Sequence, residues 1–372
     1  MKIIVDNKIP YIKGALEPFA EVIYLPGSET TPAIVKEVDA LITRTRTICN
    51  SSLLENSNVR MIATATIGFD HIDTNYCAEK GIEWTNAPGC NSSSVEQYVI
   101  AALCQLSVEQ NFSLRDKTIG IVGVGNVGKK VARVATLFGM KVLLNDPPRA
   151  REEGDSDFVD LATIQQEADI ITLHTPLNRS GEDCTFHLAD ESFFSALKKQ
   201  PILLNTCRGE VVKTEALKKA IVQKQVSGAV IDCWEQEPNI DMELLEMVDI
   251  ATPHIAGYSR DGKANGTAQS VQTISRFFDL GIDNWRPEAI EEPAHSEIAL
   301  SSNIENQEEE IKRLILHTYP ILDDDKRLRK SISDFEKQRG DYPVRREYLA
   351  YSVTNCNDEN MAEILQQLGF KI

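Results

Sequence analysis

Thr118-Ile119-Gly120-Ile121-Val122-Gly123-Val124-Gly125-Asn126-Val127-Gly128 is the stretch that decides the fold. Its first half is a short apolar run rich in β-branched residues, the composition of a buried strand. Its second half spaces three glycines as Gly-x-Gly-x-x-Gly and leads into Val127–Phe138, which has helical periodicity. In such a turn the first glycine permits the tight bend and the second lets a pyrophosphate approach the backbone. The third lets the helix pack closely on the strand. The helix N-terminus adds amide donors and the positive end of a dipole. Gly123, Gly125, Asn126, Val127 and Gly128 are therefore candidate cofactor-binding residues.

The next apolar run, Lys141–Asn145, ends at Asp146, 18 residues beyond the last glycine. An acid there accepts hydrogen bonds from ribose hydroxyls and repels a 2′-phosphate, which favours NAD over NADP. Further strands are expected at Asp169–His174, Ile202–Thr206, Ser227–Asp232 and Asp249–Thr252. Helical stretches lie between them, so the segment reads as a doubly wound parallel sheet, an α/β Rossmann domain. Upstream, short apolar runs at Lys2–Asp6, Glu21–Leu25, Ala40–Thr43, Arg60–Thr66 and Glu83–Asn86 describe a smaller, flavodoxin-like α/β domain. A helix at Ser93–Gln110 joins the two. It opens with the spacing of a capping box at Ser93 and Glu96 and carries Val95, Val99, Ala102, Leu103 and Leu106 on one face.

A helix over Arg260–Leu280 is expected to return the chain to the first domain. Residues 1–92 with 258–282 then form one domain and 93–257 the second. The acid- and proline-rich stretch 283–307 reads as a linker, and 308–372 as a small α+β domain with a helix at Glu308–His317 and a strand within Val344–Val353.

The chain has 372 residues and a formal net charge of −17, which argues against nucleic acid or an acidic membrane as partner. No apolar run reaches the roughly 18–20 residues of a membrane span. Eight cysteines without a Cys-x-x-Cys pair read as free thiols of a cytoplasmic protein. The dispersed histidines give no metal-binding pattern.

Three residues each follow a parallel strand at its carboxyl end, the edge where doubly wound sheets bind ligands. They are Arg208 in Cys207-Arg208-Gly209, Glu237 in Trp234-Glu235-Gln236-Glu237-Pro238, and His254 in Thr252-Pro253-His254-Ile255-Ala256-Gly257. His174, at another strand end, reads as a histidine without a catalytic task at least as readily as one with a role. With the Ala65-Thr66-Ile67-Gly68-Phe69-Asp70-His71 loop and the Asn86-Ala87-Pro88-Gly89 turn, these segments resemble the D-isomer-specific 2-hydroxyacid dehydrogenase family. The resemblance runs from the N-terminus to about Leu280.

That resemblance implies an NAD-dependent oxidoreductase. His254 would take the proton of a C2 hydroxyl while hydride leaves for NAD, Glu237 would orient the imidazole and favour its charged form, and Arg208 would hold the substrate carboxylate. It also implies cofactor contacts at Thr175, Thr206, Cys207, Asp232 and Gly257. Substrate contacts would lie at Thr45, Thr66, Ile67, Gly68 and Tyr258.

Thr43-Arg44-Thr45-Arg46-Thr47 gathers two arginines and three hydroxyls after one strand, a suitable clamp for a phosphate in an acidic protein. The extra C-terminal segment makes the chain similar to family members that act on a small phosphorylated hydroxy acid. By the same resemblance that segment would serve a homodimer; separately, Arg345-Arg346 could reach a neighbouring subunit's active site. Two alternatives stay open: the same chemistry on 3-phosphoglycerate or glyoxylate, and a non-catalytic NAD-sensing scaffold.

Overall fold

The apolar runs become strands of two parallel sheets. The computed structural model describes residues 1–372, the side chain at position 155 excepted. The chain forms two units, Met1–Asn91 with Ser259–Glu291, and Ser92–Tyr258 with Glu292–Ile372.

The first unit holds β1 (Lys2–Asp6), β2 (Glu21–Leu25), β3 (Ala40–Thr43), β4 (Met61–Thr64) and β5 (Glu83–Thr85) in the order β2-β1-β3-β4-β5. Every pairing is parallel. This is the flavodoxin-like order. β3 and β4 are fully buried, as expected of short runs covered on both faces. The Arg260–Phe278 helix covers one face through Val271 and Ile274, which share a core with Ile3, Val5, Ile42 and Ala63.

The second unit holds β6 (Thr118–Val122), β7 (Lys141–Asn145), β8 (Ile170–Leu173), β9 (Ile202–Asn205), β10 (Gly228–Ile231) and β11 (Ile250–Ala251). Their order is β11-β10-β9-β8-β6-β7, all parallel. The strand order reverses at β6, between β8 and β7, so the glycine turn leaves the sheet at its topological switch point.

The C-terminal residues differ from the sequence expectation. The stretch read as a linker contains β12 (Glu297–Ala299), which pairs in parallel with β13 (Ser352–Thr354). The expected strand over Val344–Val353 is irregular up to Glu347, a 3-10 turn at Tyr348–Ala350, and strand only from Ser352, where β13 begins. Residues 292–372 share one core with 92–258: Leu314, Ile315, Tyr348 and Met361 cluster with Val99, Leu103 and Ile121. This changes the Ser92–Gln110 helix as well, which is buried almost all round instead of along one face. No capping box forms there. Ser93 lies inside the first turn and its hydroxyl accepts from Lys130 Nζ at 2.6 Å. Glu96 is buried, and burial, only partly offset by Arg133 and Lys130, pushes its carboxyl up to about 8.

Polar contacts secure this packing. Ser113 Oγ and the Leu114 amide donate to Glu308. The Ala251 amide at the end of β11 donates to Asp325 Oδ1 at 2.8 Å, and Arg329 donates to the carbonyls of Leu245 and Val248. No helix among the described residues is long and apolar enough to cross a membrane.

Candidate active site

The glycine turn is shaped as its sequence requires. Gly123 has φ +89°, and a Cβ on it would lie 2.7 Å from the His174 carbonyl carbon. A Cβ on Gly128 would lie 2.1 Å from the Gly123 oxygen. At Gly125 a Cβ would meet nothing within 4 Å, so the space above the middle glycine is open for a ligand. Val127 caps the Gly128–Leu137 helix without a side-chain hydrogen bond, leaving its first turn without a capping side chain. Asp146 stands at the end of β7, half-buried, with Oδ2 accepting from the Val124 amide at 2.8 Å. These residues fit a dinucleotide: open backbone for the pyrophosphate and a carboxylate beside it for the ribose.

Thr175 follows β8 and is half-buried, as is Gly257; Thr206 is buried at the end of β9. The Cys207 thiol donates to Asn205 Oδ1 at 3.2 Å, and burial raises its pKa. His174 has no catalytic posture. Burial pushes it down to about 3, and Nε2 lies 3.0 Å from the Thr172 hydroxyl, so it is a neutral residue of the sheet edge.

Arg208, Glu237 and His254 leave the carboxyl ends of β9, β10 and the short β11. Three ties knit their loops together. Asn205 Nδ2 donates to the carbonyls of both Arg208 (3.0 Å) and Cys233 (3.2 Å). Gly209 passes so close to the next loop that a Cβ would sit 1.9 Å from the Trp234 oxygen. Trp234 Nε1 donates to the Thr252 carbonyl at 2.9 Å. The half-buried Arg208 guanidinium donates to its neighbour's carbonyl, Cys207 O, at 2.8 Å.

Glu237 and His254 are paired: Nδ1 lies 2.7 Å from Oε2. The other carboxylate oxygen accepts from the Trp234 amide at 2.8 Å. Burial alone would raise the Glu237 carboxyl, but the hydrogen bond and charge of His254, the Trp234 amide and the charge of Arg339 outweigh it. The carboxyl therefore lies below its usual range and is ionised. With Nδ1–H donated to Glu237, Nε2 is the nitrogen left to accept a substrate proton. Cys233 Sγ lies within 4.8 Å of ligand atoms on both residues. Burial, then the charges of Asp232 and Glu237, push that thiol well above its ordinary value.

Asp232, expected at the cofactor, is tied into the loop that carries His254. It is 1% exposed, with Oδ1 accepting from the Thr252 hydroxyl (2.6 Å) and Ile255 amide (2.7 Å), and Oδ2 from the Ala256 amide (3.0 Å). Tyr258 stacks edge-on against Tyr342, and Arg339 lies over its ring at 5.7 Å. Asn205, Trp234 and Arg339 escaped the sequence reading, because tying loops together leaves no motif.

In the first unit, Thr43 and Thr64 are register partners, so the loops after β3 and β4 leave the sheet side by side. Arg44 is half-buried, while Thr45 and Arg46 are exposed. Three carbonyls of the second loop are engaged: Thr66 O by the Ala87 amide, Ile67 O by Asn86 Nδ2, and Gly68 O by the Thr66 hydroxyl. Peptide planarity turns the amides of Ile67 and Gly68 away from the engaged carbonyls of Thr66 and Ile67.

Comparison with known proteins agrees with this geometry. Residues 96–256 match the family described as "D-isomer specific 2-hydroxyacid dehydrogenase, NAD binding domain", and 289–369 match a "Domain of unknown function (DUF3410)". The chain is 53% identical over 354 residues to erythronate-4-phosphate dehydrogenase of Bacteroides thetaiotaomicron, covering 95% of this chain and 99% of the relative. It is 43% identical over 371 residues to the enzyme of that name from Porphyromonas gingivalis, covering 100% of both. A solved D-lactate dehydrogenase of Aquifex aeolicus, complexed with NAD and lactic acid, superposes with a TM-score of 0.61 at 26% identity. The match covers 78% of this chain and all of that one. The chain belongs to the erythronate-4-phosphate dehydrogenases, a branch of the D-isomer-specific 2-hydroxyacid dehydrogenase family.

Proposed function

We propose that this chain oxidises 4-phospho-D-erythronate at C2 to 2-oxo-3-hydroxy-4-phosphobutanoate with NAD, a step of pyridoxal 5′-phosphate synthesis in the cytoplasm. The observation that carries the reading is the Glu237–His254 pair, in a chain so similar to enzymes of that name. NAD, when bound, supplies the hydride acceptor. His254 Nε2 accepts the C2 hydroxyl proton, and Glu237 stabilises the imidazolium that results. Arg208 holds the C1 carboxylate and polarises the C2 oxygen, with planar donors that a lysine would not reproduce. The amides of the Thr66–Gly68 loop take the same carboxylate, Tyr258 contacts the substrate, and Arg44, Thr45 and Arg46 take the 4-phosphate. The unit containing Met1–Asn91 is thus the substrate domain, and Ser92–Tyr258 carries the cofactor. The C-terminal segment makes a homodimer; exposed Val344 and Leu349 are its apolar contribution.

The test is NADH formation with a carbonyl trap, comparing 4-phospho-D-erythronate with 3-phosphoglycerate and D-lactate. A clear preference for the first is expected. Arg44→Glu with Arg46→Glu should then lower its kcat/KM by about 100-fold or more, as loss of a charged clamp does, while leaving glyoxylate reduction little changed. Turnover of another acid alone would discard the substrate, and silence with all three despite NADH binding would favour a scaffold.

A further inference from the structure

The loop His254–Tyr258 is held from two sides. On one side Asp232 receives the amides of Ile255 and Ala256. On the other, the Arg345 guanidinium donates to the Ala256 carbonyl. Arg345 belongs to the C-terminal segment and is only 3% exposed. It stacks on Tyr319, 4.5 Å from the ring centroid, and lies 5.8 Å from that of Tyr342. Both phenols donate to the same oxygen of Asp324, Oδ2, at 2.8 and 2.6 Å. The buried cation therefore faces two polarised rings with a carboxylate behind them, which compensates its loss of water. Its backbone is fixed from the neighbouring residue, since Gln97 Nε2 donates to the Arg346 carbonyl at 3.0 Å. Arg345 is thus committed inside its own unit and is not placed to reach a neighbouring subunit's site.

We propose that Arg345 is a positioning residue of the dehydrogenase reaction, one that acts by holding the Ala256 carbonyl. The Ala256–Gly257 peptide is planar, so a carbonyl fixed on Arg345 sends the Gly257 N–H in the opposite direction. A charge-assisted bond at one end of the amide also strengthens the donor at the other. Two residues upstream, His254 sits at φ 54°, a left-handed conformation that a histidine keeps only where its surroundings enforce it. Asp232 and Arg345 together supply that enforcement. The C-terminal segment, whose matching family model is a domain of unknown function, thereby acquires a task in catalysis.

The inference rests on the dehydrogenase reading, so wild-type turnover and NADH affinity are measured first; their absence would overturn that reading and not this one. Arg345→Met is then compared with Arg329→Met. Arg329 also crosses from the C-terminal segment to main-chain carbonyls, but at Leu245 and Val248, away from the catalytic loop. Arg345→Met should lower kcat on the order of tenfold or more and weaken NADH binding severalfold, as loss of preorganisation does. Arg345→Lys, which keeps a charged donor, should recover most of both. Arg329→Met should lose thermal stability alone. Should the methionine variant fail to fold, Arg345→Gln takes its place, as a weaker, uncharged donor expected to show a smaller loss of both quantities. A folded Met or Gln variant with kcat and NADH affinity within twofold of wild type would overturn the proposal. So would equal kcat losses in the Arg345 and Arg329 variants.

Discussion

His254 combines an unusual backbone with a single side-chain partner, and its amide donates to Asp232 O at 2.8 Å. Glu237 is that partner, and its charge matters more than its shape. Glu237→Gln would preserve the Trp234 contact but present an amide to Nδ1, removing the charge and unsettling the tautomer. By analogy with the orienting acid of a Ser-His-Asp triad, kcat should fall by about 10²–10⁴-fold with little change in NADH affinity. Stability supplies an independent check. The Glu237 carboxyl titrates below its unfolded value in the native state, so its ionised form favours folding. That contribution is complete above the unfolded carboxylate value, near 4.5, and is lost as pH falls through the depressed native value. The stability gap between wild type and Glu237→Gln in urea unfolding should therefore narrow on acidification below that point. A gap that widened would contradict the assignment.

Among elements, the connecting turns divide into those that serve packing and those that serve a ligand, and two glycines tell them apart. A Cβ at Gly209 meets main-chain atoms of Trp234, which no rotamer change can relieve, whereas at Gly125 it meets nothing. Gly209→Ala should cost about 1–3 kcal/mol or more in unfolding free energy and separate Arg208 from Glu237. Gly125→Ala should fold as wild type but lose NADH affinity, measurable by titration of NADH fluorescence. The sequence already distinguished these turns in part. Strands such as Lys2–Asp6 and Lys141–Asn145 were legible to the residue because each is an apolar run bounded by polar residues. The candidate catalytic residues stood out because each falls just beyond such a run. β12 and β13 were not, since three-residue strands set among acids and prolines carry no period and gain their identity only by pairing with one another. The burial of Arg345 was not legible either: the sequence shows an arginine pair, and only the Tyr319–Asp324–Tyr342 cluster makes burial of this one tolerable.

For the whole molecule, the proposals for catalysis and for assembly meet in the C-terminal segment. Leu349 is 65% and Val344 44% exposed, close in sequence to Arg345. Replacing both with lysine should convert a sedimenting dimer into a monomer without unfolding it; a wild-type protein that sediments as a monomer would remove the dimer proposal outright. The Rossmann unit is discontinuous, interrupted by Ser259–Glu291, and Phe370 is among its buried residues. During translation the first unit has all its residues once position 291 has emerged, and it is free to fold then. The unit that binds NAD shares its core with residues as far along as Phe370, and Tyr98, Leu103 and their neighbours stay incompletely covered until those are made. A ribosome stalled between positions 292 and 370 would display a finished first unit beside a sticky remainder, a species for chaperones to hold and proteases to find.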